Sequence, residues 1–400
     1  MENMRKEHKM HSTIVPAQRI SKVSEYYFSR KLKEIANLNA EGKNIINLGI
    51  GSPDLPPARE TLDVFCREVV KHDTHGYQSY IGIPALRKAF SGWYKKWFDV
   101  ELDMDKEIQP LIGSKEGIIH ISLAFLNPGD KVLIPNPGYP TYRSASELAG
   151  AEIVEYKLCE ASGWLPDFES LEKEDLANVK LMWVNYPHMP TGAPASLELF
   201  EKLIDFGRRH GIVICNDNPY SFILNDAPIS LLKVEGAKEI AIELNSMSKS
   251  HNMPGWRMAM LASNPTFIEW ILRVKSNVDS GQFKPMQLAA ADALSCGEDW
   301  YDFINDTYRK RRVLAEEIMR ITGCSYSSVQ TGLFLWGKIP PCYRNGEELS
   351  DALLYKANVF ITPGSVFGTQ GDQYIRISLC CDEPMLNEAI ERIQNNNTKK

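Results

Sequence analysis

Short apolar runs that alternate with helical patterns constrain the fold of this chain more than any other feature. The runs are rich in β-branched residues and unbroken, as expected for strands buried on both faces. Strands are predicted at Lys131–Pro135, Ala151–Glu155, Val179–Val184, Ile212–Cys215 and Ile240–Leu244. Helical patterns lie between them at Glu116–Leu126, Ser196–His210 and Pro265–Val274. This alternation predicts an open, mostly parallel α/β sheet, which binds ligands at the carboxyl ends of its strands.

The pattern changes in the last quarter of the chain. A long, charged helix is predicted over Trp300–Ile321, and short strands follow at Gly332–Gly337 and Tyr374–Leu379. These elements predict a second lobe of α+β type. A chain of 400 residues is long enough for two lobes, each with its own core.

The composition excludes several classes of function. A formal net charge of −6 provides no general attraction to nucleic acid or to an anionic membrane, so an anionic ligand needs a local site. The segment Met1–Met10 lacks the apolar region of a signal peptide, and no apolar run reaches the roughly 18 residues of a membrane helix. The 8 cysteines show no zinc-binding spacing and are expected to be buried free thiols. We therefore expect a cytoplasmic protein with no metal site.

The segment Ser246–Arg257 is the most informative motif. It follows the predicted strand Ile240–Leu244, which places Lys249 at a strand's carboxyl end. A shielded lysine with a lowered pKa is nucleophilic and can form a Schiff base. The hydroxyls of Ser246 and Ser248 and the guanidinium of Arg257 could bind a phosphate. Alone, a Ser-x-Ser-Lys run is more typical of a solvated loop, and only the glycine and arginine at a fixed distance favour the functional interpretation.

Two further segments place candidate ligand-binding residues directly after predicted apolar runs. Ser114 and Lys115 follow a glycine between an apolar run and a helix, where free N–H groups can bind an anion, although an ordinary helix cap fits equally well. Asp217 follows the predicted strand Ile212–Cys215, where a buried acid needs a cationic partner. A protonated pyridine nitrogen is such a partner, and a simple Asp-Asn-Pro turn is the alternative.

Together these motifs resemble the class I/II aminotransferase family, the fold-type I enzymes that use pyridoxal 5′-phosphate. The resemblance runs from about Ile45 to Leu379 and keeps several motifs in order. It implies a mostly parallel seven-stranded sheet sandwiched by helices, with a smaller α+β domain built from both termini. On this basis we expect an N-terminal arm over residues 1–28, a large cofactor-binding domain over 57–290, and a small domain joining 29–56 to 291–400.

The resemblance also implies roles for individual residues. Lys249 matches the Schiff-base lysine, which forms the internal aldimine and moves the proton at the substrate α-carbon. Asp217 matches the partner of the pyridine nitrogen, and Tyr220 the tyrosine that binds the ring hydroxyl. Arg376 matches the arginine that binds the substrate α-carboxylate, and Gly51 a loop glycine beside that carboxylate. The other implied cofactor contacts are Ser114, Lys115, Tyr139 stacked on the ring, Asn185, Ser246, Ser248, Arg257 and, from the neighbouring subunit of a homodimer, Tyr77.

One position departs from the family pattern. In the segment Asn185–Gly192, Met189 stands where the family has an asparagine that hydrogen-bonds the ring hydroxyl. Methionine cannot donate that bond, so Tyr220 alone would hold the hydroxyl unless His188 or Asn185 contributes. The loss of one such bond costs on the order of 1–3 kcal/mol. We expect a raised aldimine pKa, with slower chemistry or an altered reaction type.

Three functions follow from the same residues. The first is an aminotransferase that moves an amino group between an L-amino acid and a 2-oxo acid, in a ping-pong reaction through a pyridoxamine form. The second is a C–S or other β-lyase that uses the same cofactor. The third is a non-catalytic or regulatory protein that binds the cofactor. The residues before Ile45 are too few for a winged helix, and the charge is acidic, so the third is least favoured.

The substrate is only partly constrained by sequence. Family members that select dicarboxylates use a second arginine from the partner subunit, and the segment Lys275–Pro285 contains lysines but no arginine. The same segment is similar to a subgroup of diaminopimelate, aspartate and alanine-type aminotransferases. Tyr26, Tyr27 and Phe28 could line the side-chain pocket, but we favour a role in anchoring the N-terminal arm.

Overall fold

The computed structural model describes residues 15–22, 25 and 27–397. Its helices are α1 Tyr27–Ala40, α2 Arg59–Val69, α3 Pro84–Phe98, α4 Ser114–Phe125, α5 Pro140–Ala149, α6 Phe168–Leu171, α7 Leu197–His210, α8 Met247–Ser250, α9 Pro265–Lys275, α10 Lys284–Ala293, α11 Glu298–Ile321, α12 Gly346–Ala357 and α13 Glu383–Asn397. Its strands are β1 Ile46–Asn47, β2 Ile108–Ile112, β3 Lys131–Asn136, β4 Glu152–Lys157, β5 Val179–Val184, β6 Val213–Asp217, β7 Ala241–Ser246, β8 Met258–Ala262, β9 Ser325–Tyr326, β10 Phe334–Lys338, β11 Val359–Phe360, β12 Thr362–Pro363 and β13 Tyr374–Ser378.

The central sheet has seven strands in the order β2-β8-β7-β6-β5-β3-β4. Every neighbouring pair from β7 to β4 is parallel, and β8 pairs antiparallel with both β2 and β7. The predicted α/β fold with a mostly parallel sheet is thus confirmed. Because β6 and β7 are parallel neighbours, their carboxyl ends at Asp217 and Ser246 meet at one edge of the sheet.

Burial follows the strand positions. Strands β5, β6, β7 and β8 are almost wholly buried between helices, which explains their unbroken apolar sequences. The prediction that β4 is buried on both faces is wrong, since this strand ends the sheet and is largely exposed. The sequence did not locate β2 and β8, because β2 contains Pro110 and β8 is composed of methionine, alanine and leucine rather than β-branched residues.

The smaller α+β part is built from both ends of the chain, as predicted. A four-stranded antiparallel sheet has the order β12-β13-β10-β9, and α11 and α13 pack against each other beside it. Strand β1 pairs parallel with β11, in the register Ile46 with Val359. This pairing brings the loop at Gly49–Gly51 beside β13, because Ser378 donates its N–H to the carbonyl of Leu48 at 2.8 Å.

The structure also bears on the predictions about membrane helices, cysteines and the N-terminal arm. Within the described residues, no helix combines the length and the apolar character needed to cross a membrane. All cysteines are free thiols, but Cys66, Cys159 and Cys342 are exposed rather than buried. Residues 1–14, 23, 24 and Tyr26 of the predicted arm lie outside the described residues, whereas Tyr27 and Phe28 begin helix α1. The predicted domain boundaries remain a prediction.

Candidate active site

A cavity of about 380 Å³ lies at the carboxyl ends of β6 and β7 and extends to β13. It has the size and the mixed lining of a small-molecule site. With the exception of Tyr77, every residue predicted for the site lines it: Gly51, Ser114, Lys115, Tyr139, Asn185, Asp217, Tyr220, Ser246, Ser248, Lys249, Arg257 and Arg376. Residues that are far apart in sequence are therefore brought together in one cavity.

Lys249 lies on the short helix α8, directly after β7. Its Nζ donates a hydrogen bond to the carbonyl of Gly51 at 2.5 Å. Burial lowers the pKa of this lysine, and the nearby Arg376 and Arg257 lower it further. A lysine held in this way has a larger share of neutral amine and is a better nucleophile than an exposed one.

Asp217 is the last residue of β6 and is buried. Its Oδ2 accepts a hydrogen bond from the Tyr142 hydroxyl at 3.1 Å, while Oδ1 has no hydrogen-bond partner among the described residues. Burial raises the pKa of Asp217 to about 7. A buried carboxyl oxygen that lacks a partner fits a protonated ring nitrogen, which would satisfy it and restore the carboxylate.

Asn185 fixes the backbone around Asp217. Its Nδ2 donates to the Asp217 carbonyl, and its Oδ1 accepts from the N–H of Met189 at 2.8 Å. Both ends of this amide are therefore engaged by backbone groups. His188 is buried and hydrogen-bonded to Thr191 at 2.8 Å, and burial lowers its pKa to about 3, so it is neutral.

The part of the cavity beside the start of helix α4 carries two positive charges, those of Lys115 and Arg257. Gly113 adopts a φ of +80° before α4, and a Cβ there would lie 1.9 Å from Nη2 of Arg257. Burial and the charge of Arg257 lower the pKa of Lys115. The Ser114 hydroxyl is buried without a hydrogen-bond partner in the described part of the chain, and Ser246 donates to Ser248 at 2.9 Å. Two close cations at a helix N-terminus fit the phosphate of the cofactor.

A buried charge network supports this end of the cavity. Glu116, on α4, accepts from the N–H of Ile112 at 2.6 Å and contacts Nε2 of His120 at 2.8 Å. Nζ of Lys275 lies 3.7 Å from Glu116 and bonds Asp279. The ammonium thus occupies the place between carboxylates that a cation would take. The sequence showed a helical segment here but not its partners.

Arg376 lies on β13, in the smaller α+β part of the structure. Its Nη2 donates to the carbonyl of Gly49 at 2.8 Å, and its Nη1 donates to Sδ of Met189 at 3.1 Å. The guanidinium carbon lies 3.8 Å from the ring centre of Phe334 and 4.6 Å from that of Phe367. Arg376 is thus held in a defined orientation, in which a planar guanidinium can bind a carboxylate.

Tyr77 does not line the cavity of its own chain. Its side chain is 92% exposed, and the following residues contact the loop at Gly281, where a Cβ would lie 2.7 Å from the carbonyl of Gln78. Such exposure is expected for a side chain that acts on a neighbouring subunit, but the predicted contact remains a prediction.

Sequence reasoning missed several residues of the site. Tyr142 holds Asp217 and stacks on Trp183 with ring centres 5.1 Å apart. Phe334 and Phe367 contact Arg376, and no local pattern marks them, because both contacts depend on the packing of segments distant in sequence. Phe28 also lines the cavity, which was the alternative to anchoring the arm, and its ring centre lies 5.7 Å from the guanidinium carbon of Arg376. Its role as an anchor remains a prediction.

Comparisons with known proteins agree with this geometry. The family model for aminotransferase class I and II matches residues 43–393. The chain is 39% identical over 381 residues to an LL-diaminopimelate aminotransferase of Dehalococcoides mccartyi, covering 95% of this chain and 98% of the relative. It is 40% identical over 384 residues to that of Desulforudis audaxviator, covering 96% and 98%. The substrate-bound BacF structure from Bacillus subtilis superposes with a TM-score of 0.91 at 33% identity, covering 96% of this chain and 98% of BacF.

Proposed function

We propose roles for the cavity residues from one premise: the chain belongs to the class I and II aminotransferase family and is an aminotransferase. That family implies pyridoxal 5′-phosphate as the cofactor. The proposed reaction moves an amino group between an L-amino acid and a 2-oxo acid in two half-reactions. The observation that carries the proposal is that half-buried Lys249 lines one cavity with Asp217, whose Oδ1 lacks a partner among the described residues, and with the oriented guanidinium of Arg376.

When bound, the cofactor supplies an electron sink that stabilises negative charge at the substrate's α-carbon. Asp217 keeps the ring nitrogen protonated, because a cationic partner makes ionisation of the buried carboxyl favourable. Tyr142 holds Oδ2 of Asp217, so that Oδ1 is the oxygen offered to the ring. The Tyr220 hydroxyl would hydrogen-bond the ring hydroxyl, and the Tyr139 side chain would stack on the ring.

Lys249 holds the cofactor through Nζ and then acts as a base. The lowered pKa increases the share of neutral amine, which both roles require. With cofactor and amino acid bound, Nζ would take the proton from the substrate α-carbon and return a proton during transfer. The 2.5 Å hydrogen bond from Nζ to the Gly51 carbonyl fixes the amine beside the loop at Gly49–Gly51.

Arg376 binds the α-carboxylate of the substrate. Its contacts with Gly49 and Met189 fix the plane of the guanidinium, which reduces the freedom lost when a carboxylate binds. Gly51 allows close approach, because a Cβ there would overlap the ring of Phe334, 2.1 Å from its nearest atom. The arrangement turns the substrate's α-hydrogen toward Lys249.

The phosphate end is completed by a second subunit in this proposal. Ser114, Lys115, Ser246, Ser248 and Arg257 supply the donors from one chain. The exposed Tyr77 supplies one more from the neighbouring chain of a homodimer. The large domain over 57–290 would then carry the cofactor, and the small domain, 29–56 with 291–400, would carry Arg376.

The test is a half-reaction. The purified protein, loaded with pyridoxal phosphate, is mixed with single amino acids without any oxo acid, and LL-diaminopimelate is included because the relatives are named for it. An aminotransferase releases one 2-oxo acid per active site, and the cofactor recovered from denatured protein then carries the amino group. Continuous release of ammonia with an oxo acid would instead establish the lyase alternative. Lys249→Ala should abolish the transfer, whereas the exposed-site control Lys88→Ala should not.

A further inference from the structure

The charged groups of the cavity match groups that every amino-acid substrate and the cofactor have in common. Among the described residues, the charged side chains that line it are Lys115, Asp217, Lys249, Arg257 and Arg376. In the proposed function, Lys115 and Arg257 bind the phosphate, and Asp217 binds the ring nitrogen. Lys249 meets the α-amino group, and Arg376 binds the α-carboxylate. In the described lining, no charge remains for a second charged group on the substrate.

The surroundings of Arg376 are aromatic. The ring centres of Phe334, Phe367 and Phe28 lie 3.8, 4.6 and 5.7 Å from its guanidinium carbon. A substrate side chain leaves from the carbon that bears the carboxylate, so it begins within a few bonds of this arginine. In the proposed binding mode it starts beside these rings. Such a surface favours an apolar group and gives a charge no partner.

The same apolar surface continues to the mouth of the cavity. Ile50 and the buried Met189 line the cavity from two loops, and Leu32 lines it from helix α1. The Leu32 side chain is 44% exposed, although it is a leucine. An apolar side chain kept at an open mouth, beside others in the wall, marks a surface that an apolar ligand can cover.

Two nearby lysines could otherwise bring a positive charge from a second subunit. Lys275 is buried and bonds Asp279 of its own chain. Lys284 lies 3.3 Å from Asp73, also of its own chain. Lys275 is therefore neutralised within its chain, whereas the exposed pair of Lys284 with Asp73 holds that lysine only weakly.

We infer that the amino donor of this enzyme is an L-amino acid with a bulky apolar side chain, aliphatic or aromatic, rather than one with a charged distal group. The inference rests on the proposed aminotransferase function and adds the substrate class. A charged end group would leave water for an apolar wall without an opposite charge, which strongly disfavours its binding. A branched or aromatic side chain would bury its surface against the rings around Arg376.

The experiment compares donors in the half-reaction of the cofactor-loaded wild-type protein. L-leucine and L-phenylalanine are compared with L-aspartate, L-lysine and LL-diaminopimelate. We expect kcat/KM for the two apolar donors to exceed that for each charged donor by about 100-fold or more. A charged donor that reacts as fast as L-leucine would overturn the inference while leaving the aminotransferase function intact. If no donor reacts, the proposed function itself fails, and the inference with it.

A variant pair tests the location of the specificity surface. Leu32→Arg places a cation at the mouth and should raise the ratio of kcat/KM for L-aspartate over L-leucine about tenfold. Ala36→Arg adds the same charge at an exposed position one turn along α1, outside the cavity lining, and should leave the ratio unchanged. If both variants change the ratio equally, a general charge effect explains it, and the assigned surface is wrong. An unchanged ratio in Leu32→Arg would also overturn the assignment.

Discussion

Replacing Asp217 by Asn should stabilise the cofactor-free protein while weakening its hold on the cofactor. The carboxyl is buried, and its pKa rises from the ordinary 3.8 to about 7 because burial disfavours the charge. At 1.36 kcal/mol for each unit of pKa, such a rise lowers the free energy of unfolding at pH 8 by about 4 kcal/mol. Asparagine has nearly the same shape, can still accept from Tyr142 and carries no charge.

The sign of the pH dependence follows from the raised pKa. Below about pH 4, Asp217 is protonated in both folded and unfolded states, so burial costs no ionisation. Between about pH 4 and 7 the unfolded chain ionises first, and the folded state loses stability as the pH rises. The advantage of the variant should therefore be small near pH 4, about 1.5 kcal/mol at pH 5 and about 4 kcal/mol at pH 8.

The assay is urea-induced unfolding of cofactor-free wild type and variant at pH 5 and pH 8. A matched control is Asp226→Asn, at an exposed aspartate, which should change the free energy of unfolding by less than about 0.5 kcal/mol at either pH. With pyridoxal phosphate present, the wild type should gain more stability than the variant, because only the carboxylate pairs with a charged ring nitrogen. A difference in stability that does not depend on pH would refute the assignment of a buried carboxyl with a raised pKa.

Further predictions concern the other parts of the cavity. Lys249→Ala should abolish amino transfer in a chain that still folds, as activity and circular dichroism would show, and retained turnover would contradict its role. Met189→Asn should shift the pH titration of the bound cofactor's absorption spectrum, and an unchanged titration would mean that residue 189 does not face the ring hydroxyl. Arg376→Lys should raise KM for amino acids about tenfold to 100-fold, measured by steady-state kinetics, because the bidentate geometry is lost; an unchanged KM would place the carboxylate elsewhere. Gly113→Ala should weaken cofactor binding about tenfold, measured by fluorescence titration, since its Cβ would lie 1.9 Å from Arg257; unchanged affinity would contradict the phosphate assignment.

Positions at strand ends were predictable, because local sequence determines them. Asp217 and Lys249 follow apolar runs, and parallel strands bring such positions to one edge. The family resemblance supplied the count of seven strands, although the patterns located only five of them. Strand β8 runs antiparallel and lacks β-branched residues, so its sequence resembled a continuation of the preceding loop.

Features that depend on long-range packing were not predictable. Phe334 reaches Arg376 because β10 and β13 pair in a register that places the two side chains diagonally on one face. Tyr142 follows Tyr139 in an ordinary helix start, and only the fold shows that its hydroxyl holds Asp217. The thioether contact between Met189 and Arg376 likewise depends on two distant segments meeting. The sequence therefore predicted the residues proposed to bind the cofactor and the α-carboxylate. It did not predict the aromatic residues around Arg376 that we propose contact the substrate's side chain.

The pairing of β1 with β11 has a consequence for protein synthesis. Ile46 leaves the ribosome early, but its partner Val359 and the arginine at 376 follow only after more than three hundred residues have been added. During that interval the edge of β1 and the ring of Phe28, which later contacts Arg376, lack their final neighbours. Contacts of such long sequence separation form slowly, and exposed strand edges favour aggregation. We therefore expect nascent chains of this protein to depend on chaperones, and stalled ones to be inactive even when the central sheet has formed.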